Sequence, residues 1–183
     1  MVRAEALASA STVSRLGGEK EQALNLSTEA VKTAPDFSPA LAAHATSLAV
    51  NGRRGEGISY AQRAIDANPR ISKNYLILGV MQGEEKDYIN SIDNLKKALE
   101  KLENDNTLLG SEDKAEIRGL ITYQLAKFYW ASDTTSDGVI LELIESSIKS
   151  YPRLKNNLKR DFSSGEFFND LGTNDSFTRL IDG

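Results

Sequence analysis

Residues 30–37 read AVKTAPDF and residues 64–71 read AIDANPRI, so one pattern (alanine, an aliphatic residue, three variable positions, proline) begins at position 30 and again at position 64. The same spacing, 34 residues, aligns similar residues in three successive copies of the pattern. They are the alanines Ala30, Ala64 and Ala98, the small residues Ala23, Gly57 and Ser91, and the large apolar residues Leu7, Leu41 and Tyr75. An internal period of roughly 20–50 residues indicates stacked copies of one supersecondary unit.

Each unit contains two segments whose apolar residues are spaced as in a helix. In the third unit, Tyr75, Leu78 and Met81 follow an i, i+3 pattern, and the segment after them repeats this spacing. Pro35 and Pro69 follow the second segment, where proline prevents a helix from continuing. Short polar turns separate the two segments of each unit: residues 18–20, 52–54 and 85–87. Each unit is therefore predicted to be a helix, a tight turn and a second helix.

These positions resemble the tetratricopeptide repeat (TPR) pattern, a helical hairpin of about 34 residues. The third unit supplies Tyr75, Leu78 and Gly79 in its first helix, and the second unit ends at Pro69. Further matching positions are Ser91, Leu95 and Ala98 in unit three and Leu41, His44, Ala45, Leu48, Gly57, Ala61 and Ala64 in unit two. The resemblance covers about residues 4–153. It implies an all-α fold, namely a right-handed superhelical array of helix-turn-helix (TPR-like) repeats with a C-terminal helical cap.

The resemblance divides the chain into residues 1–153, about four TPR-like helical hairpins, and residues 154–183, a C-terminal capping segment of short helices. In the fourth unit Leu125, Ala126 and Pro152 match the pattern, but a long connection at 103–113 precedes it and its turn, TTSDG, is longer than those of the other units. The phase of this unit stays open. The phenylalanines of the capping segment are predicted to cover the apolar residues of the last repeat. Within that segment, SSGE at 163–166 resembles a capping box, which predicts a helix start.

Composition and charge argue against several functional classes. The chain has 183 residues, a net charge of −4, no cysteine and one histidine. Without cysteine there is no disulfide, no zinc–thiolate site and no cysteine nucleophile, and the acidic balance argues against a phosphate-binding surface. No apolar run approaches the roughly 18 residues of a membrane span. We therefore expect no catalytic site, cofactor, metal, nucleic acid or membrane, and we expect His44, at a buried-leucine position of the pattern, to be structural.

Two short stretches could suggest ligand sites, and each has a simpler interpretation. GRRGEG at 52–57 lacks the spacing of a phosphate-binding loop and follows a predicted helix, so it is predicted to be a helix–helix turn. ENDNTLLGSEDK at 103–114 is rich in carboxylates and amides, but Leu108 and Leu109 stand where an EF-hand needs a ligand and a glycine. This stretch is predicted to be a solvated loop, with the next helix beginning near Ser111.

The resemblance also implies where a partner would bind, because the first helices of TPR proteins line a concave groove. In this chain that surface is small and neutral at one end and apolar and aromatic at the other. The predicted groove residues are Thr12, Ala43, Thr46, Lys73, Ile77, Val80, Tyr123, Lys127 and Trp130. One subgroup of the family grips C-terminal carboxylates, and only Lys73 matches its pattern, so that activity is not expected here.

The function implied by the resemblance is a non-enzymatic protein–protein interaction scaffold or adaptor that binds a peptide or partner helix in this groove. The alternative is a structural TPR domain of a larger multidomain protein whose groove is occupied intramolecularly. A third hypothesis, an RNA-binding helical array, is disfavoured because the first helices carry few basic residues. The N-terminal stretch MVRAEALASASTVSRLGG lacks the apolar segment of a signal peptide, which predicts a cytoplasmic location. The alternative is that the chain is an excerpt of a longer protein and lacks a targeting signal for that reason. The identity of the protein partner and the oligomeric state stay open.

Overall fold

The computed structural model describes residues 1–105 and 110–182. These residues form ten α-helices and one 3₁₀ turn, and they contain no β-strand, which confirms the predicted all-α class. The helices are α1 (Val2–Leu16), α2 (Lys20–Thr33), α3 (Ser38–Val50), α4 (Arg54–Ala67), α5 (Ser72–Glu84), α6 (Tyr88–Leu102), α7 (Ser111–Ser132), α8 (Asp137–Ser150), α9 (Leu154–Ser163) and α10 (Asp175–Asp182), with the 3₁₀ turn at Asn169–Thr173. The first eight helices pack as consecutive hairpins.

Each hairpin turn contains one residue in the left-handed backbone region. Gly18, Gly52 and Lys86 occupy this position in the first three turns, with φ angles of 84°, 78° and 65°, and they fall at the same place in successive repeats. Asp133 occupies it in the fourth turn, with φ 51°. Asp133 lies further from Lys86 than one repeat length, so the fourth hairpin carries an insertion before its turn. This fixes the phase of the fourth repeat, and Ala126 corresponds to Gly79.

The two helices of a hairpin approach closely at small residues. A Cβ atom added to Gly57 would lie 2.8 Å from the Ala45 carbonyl oxygen, and one added to Gly79 would lie 2.9 Å from Leu95 Cγ. Real Cβ atoms almost never approach other heavy atoms this closely, because side chains in a packed interior leave no spare volume. The columns of small residues in the sequence therefore mark the helix crossings.

Buried hydroxyl groups hold neighbouring helices in register. Ser11 Oγ donates to the Ala23 carbonyl oxygen at 2.8 Å and lies 3.0 Å from Ser47 Oγ, so α1, α2 and α3 meet at this point. In the third hairpin, Ser91 Oγ donates to the Gly79 carbonyl oxygen at 2.7 Å. A buried hydroxyl without such a partner would destabilise the fold, and each of these bonds selects one helix alignment.

The core changes in character along the array. Between the first two hairpins it consists of alanines, namely Ala8, Ala30, Ala40 and Ala43. From α4 to α7 it consists of larger residues, such as Leu78, Met81, Leu95 and Phe128. Phe128 of α7 packs near Tyr88 of α6, with ring centroids 6.2 Å apart.

The C-terminal segment, residues 154–182, packs against α7 and α8. Phe168, Leu171 and Phe177 are almost completely buried, together with Ile140 and Ile144 of α8. Full burial of a large apolar side chain stabilises the folded state by roughly 1.5–3 kcal/mol. The segment therefore contributes substantially to the core at this end of the array, as the predicted C-terminal cap requires.

Two local predictions were wrong. The stretch 163–166 is not a capping box: Ser163 ends α9, and its hydroxyl donates back to the Arg160 carbonyl oxygen. The connection before α7 is not solvated throughout, because Asp105 is buried and accepts hydrogen bonds at 2.7 Å from both the backbone N–H and the hydroxyl of Ser72. This carboxylate binds the first residue of α5, where backbone N–H groups lack helical partners. Helix α7 begins at Ser111, where the sequence predicted it, and the predicted loop positions 106–109 lie outside the described residues.

Candidate partner-binding groove

The first helices of the hairpins, α1, α3, α5 and α7, contact one another in sequence order and form one surface, here called the first-helix face. An open pocket of about 270 Å³ lies on this face, between α1, α3 and α5. Its lining is mainly apolar and consists of Arg15, Thr46, Ala49, Val50, Leu76, Ile77, Val80, Met81 and Glu84. A concave, largely apolar site with a few polar groups at its edge is the usual form of a ligand pocket.

Three of the predicted groove residues, Thr46, Ile77 and Val80, line this pocket. Two other predicted residues are engaged within the fold. Ala43 is buried in the alanine core, and the hydroxyl of Thr12 donates to the Ala8 carbonyl oxygen at 3.1 Å. Lys73 is exposed near the start of α5 and is not part of the lining.

The predicted groove residues of α7 are covered by the chain itself. Tyr123 is only 2% exposed, and its ring packs against Phe168. The amine of Lys127 lies 4.0 Å from the ring centre of Phe167, which also contacts Trp130 at a centroid distance of 5.9 Å. The C-terminal segment therefore occupies the first-helix face at the fourth hairpin, and it leaves the pocket between α1, α3 and α5 open.

A buried carboxylate fixes this contact. Asp161 of α9 is 3% exposed, accepts a hydrogen bond from the Tyr123 hydroxyl at 2.9 Å, and forms an ion pair with Lys127 at 3.2 Å. Burial, and then the charge of Asp161, raise the pKa of Tyr123 far above its ordinary value. The phenol therefore stays protonated and acts as the donor to the carboxylate. Removing one partner of a buried charge strongly destabilises a protein, because the charge is then poorly compensated.

A second, more polar pocket of about 370 Å³ lies between α5, α7 and the C-terminal segment. Glu84 lines both pockets, so the two are adjacent on the first-helix face. At their junction, Arg54 forms ion pairs with Glu84 at 3.0 Å and with Glu85 at 2.8 Å. Phe167 and Glu166 of the C-terminal segment line the far side of this second pocket.

His44, the single histidine of the chain, is engaged structurally. His44 is buried, its Nδ1 lies 3.0 Å from Ser27 Oγ, and its ring contacts Tyr60 edge-on at 4.6 Å. Burial is the main cause that lowers the pKa of His44, with a further contribution from the charge of Arg53. Within residues 1–105 and 110–182, no group of three or more His, Asp or Glu side chains is arranged to hold a metal ion. Of the helices in this part of the chain, none has the length and apolar character needed to cross a bilayer.

Sequence reasoning missed the polar and C-terminal edges of the open pocket. Ala49 and Val50 lie three and four residues after Thr46, Arg15 lies three after Thr12, and Glu84 lies four after Val80. Residues three and four apart share one face of a helix. Extending each predicted position by one helical turn would have found them.

No protein-family model matches the chain, and no curated protein sequence matches it. Solved structures with the same architecture do match. The chain superposes on PilF of Pseudomonas aeruginosa with a TM-score of 0.71 and 14% identity, over 98% of this chain and 75% of PilF. For MamA the TM-score is 0.63 at 16% identity, over 93% of this chain and 90% of MamA. For YrrB, a TPR protein with an unusual peptide-binding site, it is 0.56 at 15% identity, over 96% and 81% of the two chains.

These likenesses extend over nearly the whole chain. At such low identity they identify an architecture. The chain has the tetratricopeptide repeat fold.

Proposed function

We propose that this protein is a non-enzymatic interaction module that binds a peptide or a helix of a partner protein in the pocket between α1, α3 and α5. The single observation that carries the proposal is the open apolar pocket of about 270 Å³ on the first-helix face. YrrB, which shares the fold, has a peptide-binding site. The cytoplasmic location predicted from the sequence stays a prediction.

The pocket suits an apolar anchor side chain. Leu76, Ile77, Val80 and Met81 all come from one helix, α5, whose backbone is held by packing against α6. A leucine or phenylalanine that is fully buried there would gain roughly 1.5–3 kcal/mol of transfer free energy. Because the stacked helices hold the pocket in place, binding orders few protein side chains, which preserves more of this gain. The main contact is apolar, so affinity should change little between low and moderate salt.

The proposal can be tested by selecting binders from a displayed library of random 12-residue peptides. The immobilised wild-type protein is used for selection, and a Val80→Glu variant is used for counter-selection. The matched control is Ile89→Glu, which changes an apolar residue that is 84% exposed on α6. Selected peptides, measured by fluorescence anisotropy, should bind wild type and Ile89→Glu alike and bind Val80→Glu at least tenfold more weakly. Equal binding to Val80→Glu would refute the pocket as the binding site.

A second candidate concerns the C-terminal segment, because Phe167 already covers Lys127 and Trp130 on the same face. In that case the C-terminal segment occupies the first-helix face of its own chain, and a partner displaces it. This corresponds to the alternative in which the groove of the repeat domain is occupied intramolecularly. Deletion of residues 161–183 separates the two functions. If the segment is a cap, the truncated protein should lose thermal stability and aggregate, because apolar residues of α8 become exposed. A stable truncated monomer that binds peptides more tightly would support displacement instead.

A further inference from the structure

We infer that the segment bound in the open pocket carries a carboxylate on one side of its apolar anchor, that Arg15 receives this carboxylate, and that the opposite side of the anchor carries no acidic residue. This inference rests on the proposed function and specifies the chemistry of the partner.

Arg15 is the cation at the α1 edge of the pocket. Its Nε atom is buried and, among the described residues, has no hydrogen-bond partner. Its guanidinium also forms no ion pair with any carboxylate in that part of the chain. Arg54 Nε likewise lacks a well-formed hydrogen bond, but the guanidinium of Arg54 is paired with Glu84 and Glu85, and that of Arg53 with Glu56. A buried donor that lacks an acceptor lowers stability. Arg15 as a whole is half-buried and lines the pocket, so an acceptor that a ligand brings into the pocket can reach its unpaired guanidinium.

A carboxylate is the group that fits this donor set best. A guanidinium presents parallel N–H groups in a planar fork, and a carboxylate can accept two of them at once. The apolar lining next to Arg15, which includes Val50 and Ile77, reduces contact with water. Charged hydrogen bonds are stronger in such surroundings than at an open surface. Arg15 is not one of the positions in the carboxylate-clamp pattern, so the contact proposed here is a different one.

The α5 edge of the pocket carries negative charge, in contrast to the α1 edge. Glu84 shares the single guanidinium of Arg54 with Glu85, so two carboxylates face one cation. An acidic residue of the partner at this edge would be repelled, and a neutral or basic residue would be accepted. The pocket therefore distinguishes the two directions in which a segment could lie across it, because the acid must point to α1.

The experiment uses the 183-residue chain and a displayed library of 12-residue peptides with one central leucine and random flanking positions. Selection is run in parallel on wild type, Arg15→Gln and Arg3→Gln. Arg3 is an exposed arginine on the same helix, so its replacement removes the same charge from α1 away from the pocket. Circular dichroism and thermal melts establish that each variant is folded.

Peptides selected on wild type and on Arg3→Gln should be enriched in Asp or Glu on one side of the leucine only, and peptides selected on Arg15→Gln should not. A synthetic peptide from the wild-type selection should bind Arg15→Gln about tenfold more weakly, as expected for loss of a partly buried charged hydrogen bond. Changing its acid to the amide should weaken binding to wild type by a similar factor and have little further effect with Arg15→Gln. Arg15→Lys should restore part of the affinity, since it keeps the charge without the fork.

Peptides that require Val80 but show no one-sided acidic preference, or that bind Arg15→Gln as well as wild type, would overturn this inference and leave the proposed function standing. If no peptide binds wild type better than Val80→Glu, the proposed function fails and the inference fails with it.

Discussion

Replacing Gly79 with leucine should destabilise the protein through one defined contact between α5 and α6. A Cβ atom at this position would lie 2.9 Å from Leu95 Cγ and 3.0 Å from the Ser91 carbonyl oxygen. Neither group can move aside easily, because Leu95 is completely buried and the second atom belongs to the backbone of α6. The helices must therefore separate.

The size of the effect follows from three contributions. Overpacking of this kind costs about 1–3 kcal/mol. Separation of the helices also stretches the hydrogen bond from Ser91 Oγ to the Gly79 carbonyl oxygen, now 2.7 Å long, which contributes about 0.5–1.5 kcal/mol. Leucine is a better helix former than glycine, and this offsets roughly 0.8 kcal/mol of the lost stability. We expect a net loss of about 1–3 kcal/mol in the free energy of unfolding, which corresponds to about 2–12 °C in Tm for a chain of this size.

Urea unfolding followed by far-ultraviolet circular dichroism would measure this loss, with the slope of the transition compared between variants. The matched control is Gly55→Ala in α4, where no heavy atom lies within 4 Å of the added Cβ. That variant should be as stable as wild type or more stable by up to about 1 kcal/mol. If Gly79→Leu unfolds at the wild-type urea concentration, the helix crossing has been misplaced and the assignment of the small-residue columns is wrong.

Three other substitutions test separate parts of the structure. Burial lowers the pKa of His44 below its unfolded value of 6.5, so the unfolded state binds a proton more readily than the folded state. The wild-type free energy of unfolding should therefore fall as the pH drops below about 6.5. In urea titrations at pH 7.5 and 5, His44→Gln should lack the part of this fall that is due to His44. Tyr123→Phe should lose about 1.5–3 kcal/mol by the same assay, since the buried Asp161 carboxylate loses a donor, and an unchanged midpoint would contradict the hydrogen bond. Gly83→Ala should cost about 1–3 kcal/mol, because its Cβ would lie within 2.5 Å of the buried Phe128 ring, whereas a stabilised variant would show that the ring has space to move.

The repeated architecture could be predicted from the sequence because its cause is local and recurs. Small residues at 23, 57 and 91 mark close helix crossings, and the turn at Gly18 and Gly52 needs a positive φ that glycine adopts freely. The turn at Lys86 meets the same backbone requirement without glycine, so only the repeat register points to it. Leu125 and Ala126 match the pattern in the phase that the structure shows, but the period alone could not fix this phase, because extra residues before α7 and within it interrupt the repeat.

Part of the lining of the open pocket could also be predicted from the sequence. The positions at 46, 77 and 80 follow from the resemblance, which implies that the first helices line a groove, and they line the open pocket. The covering of Tyr123 and Trp130 does not follow from periodicity, because it depends on a reversal of the chain after α9. That reversal uses Gly165 at φ 72° and Phe168 at φ 65°, and left-handed phenylalanine has no sequence signature. Which apolar residues a tail covers is decided by long-range packing, and a repeat pattern contains no information about it.

The joints between successive hairpins are not interchangeable, and this restricts how the array can be rebuilt by recombination or design. At the first joint a hydroxyl, Ser47, reaches the Ala23 carbonyl oxygen at 3.3 Å. The corresponding residue at the second joint is the thioether Met81, with Sδ 3.4 Å from a Cβ at Gly57, and at the third it is the aromatic Phe128, which packs near Tyr88. A transplanted or duplicated hairpin would meet a neighbour shaped for a different group. Exchange within this array should therefore succeed only when the residue at the joint and the small residue that faces it are moved together.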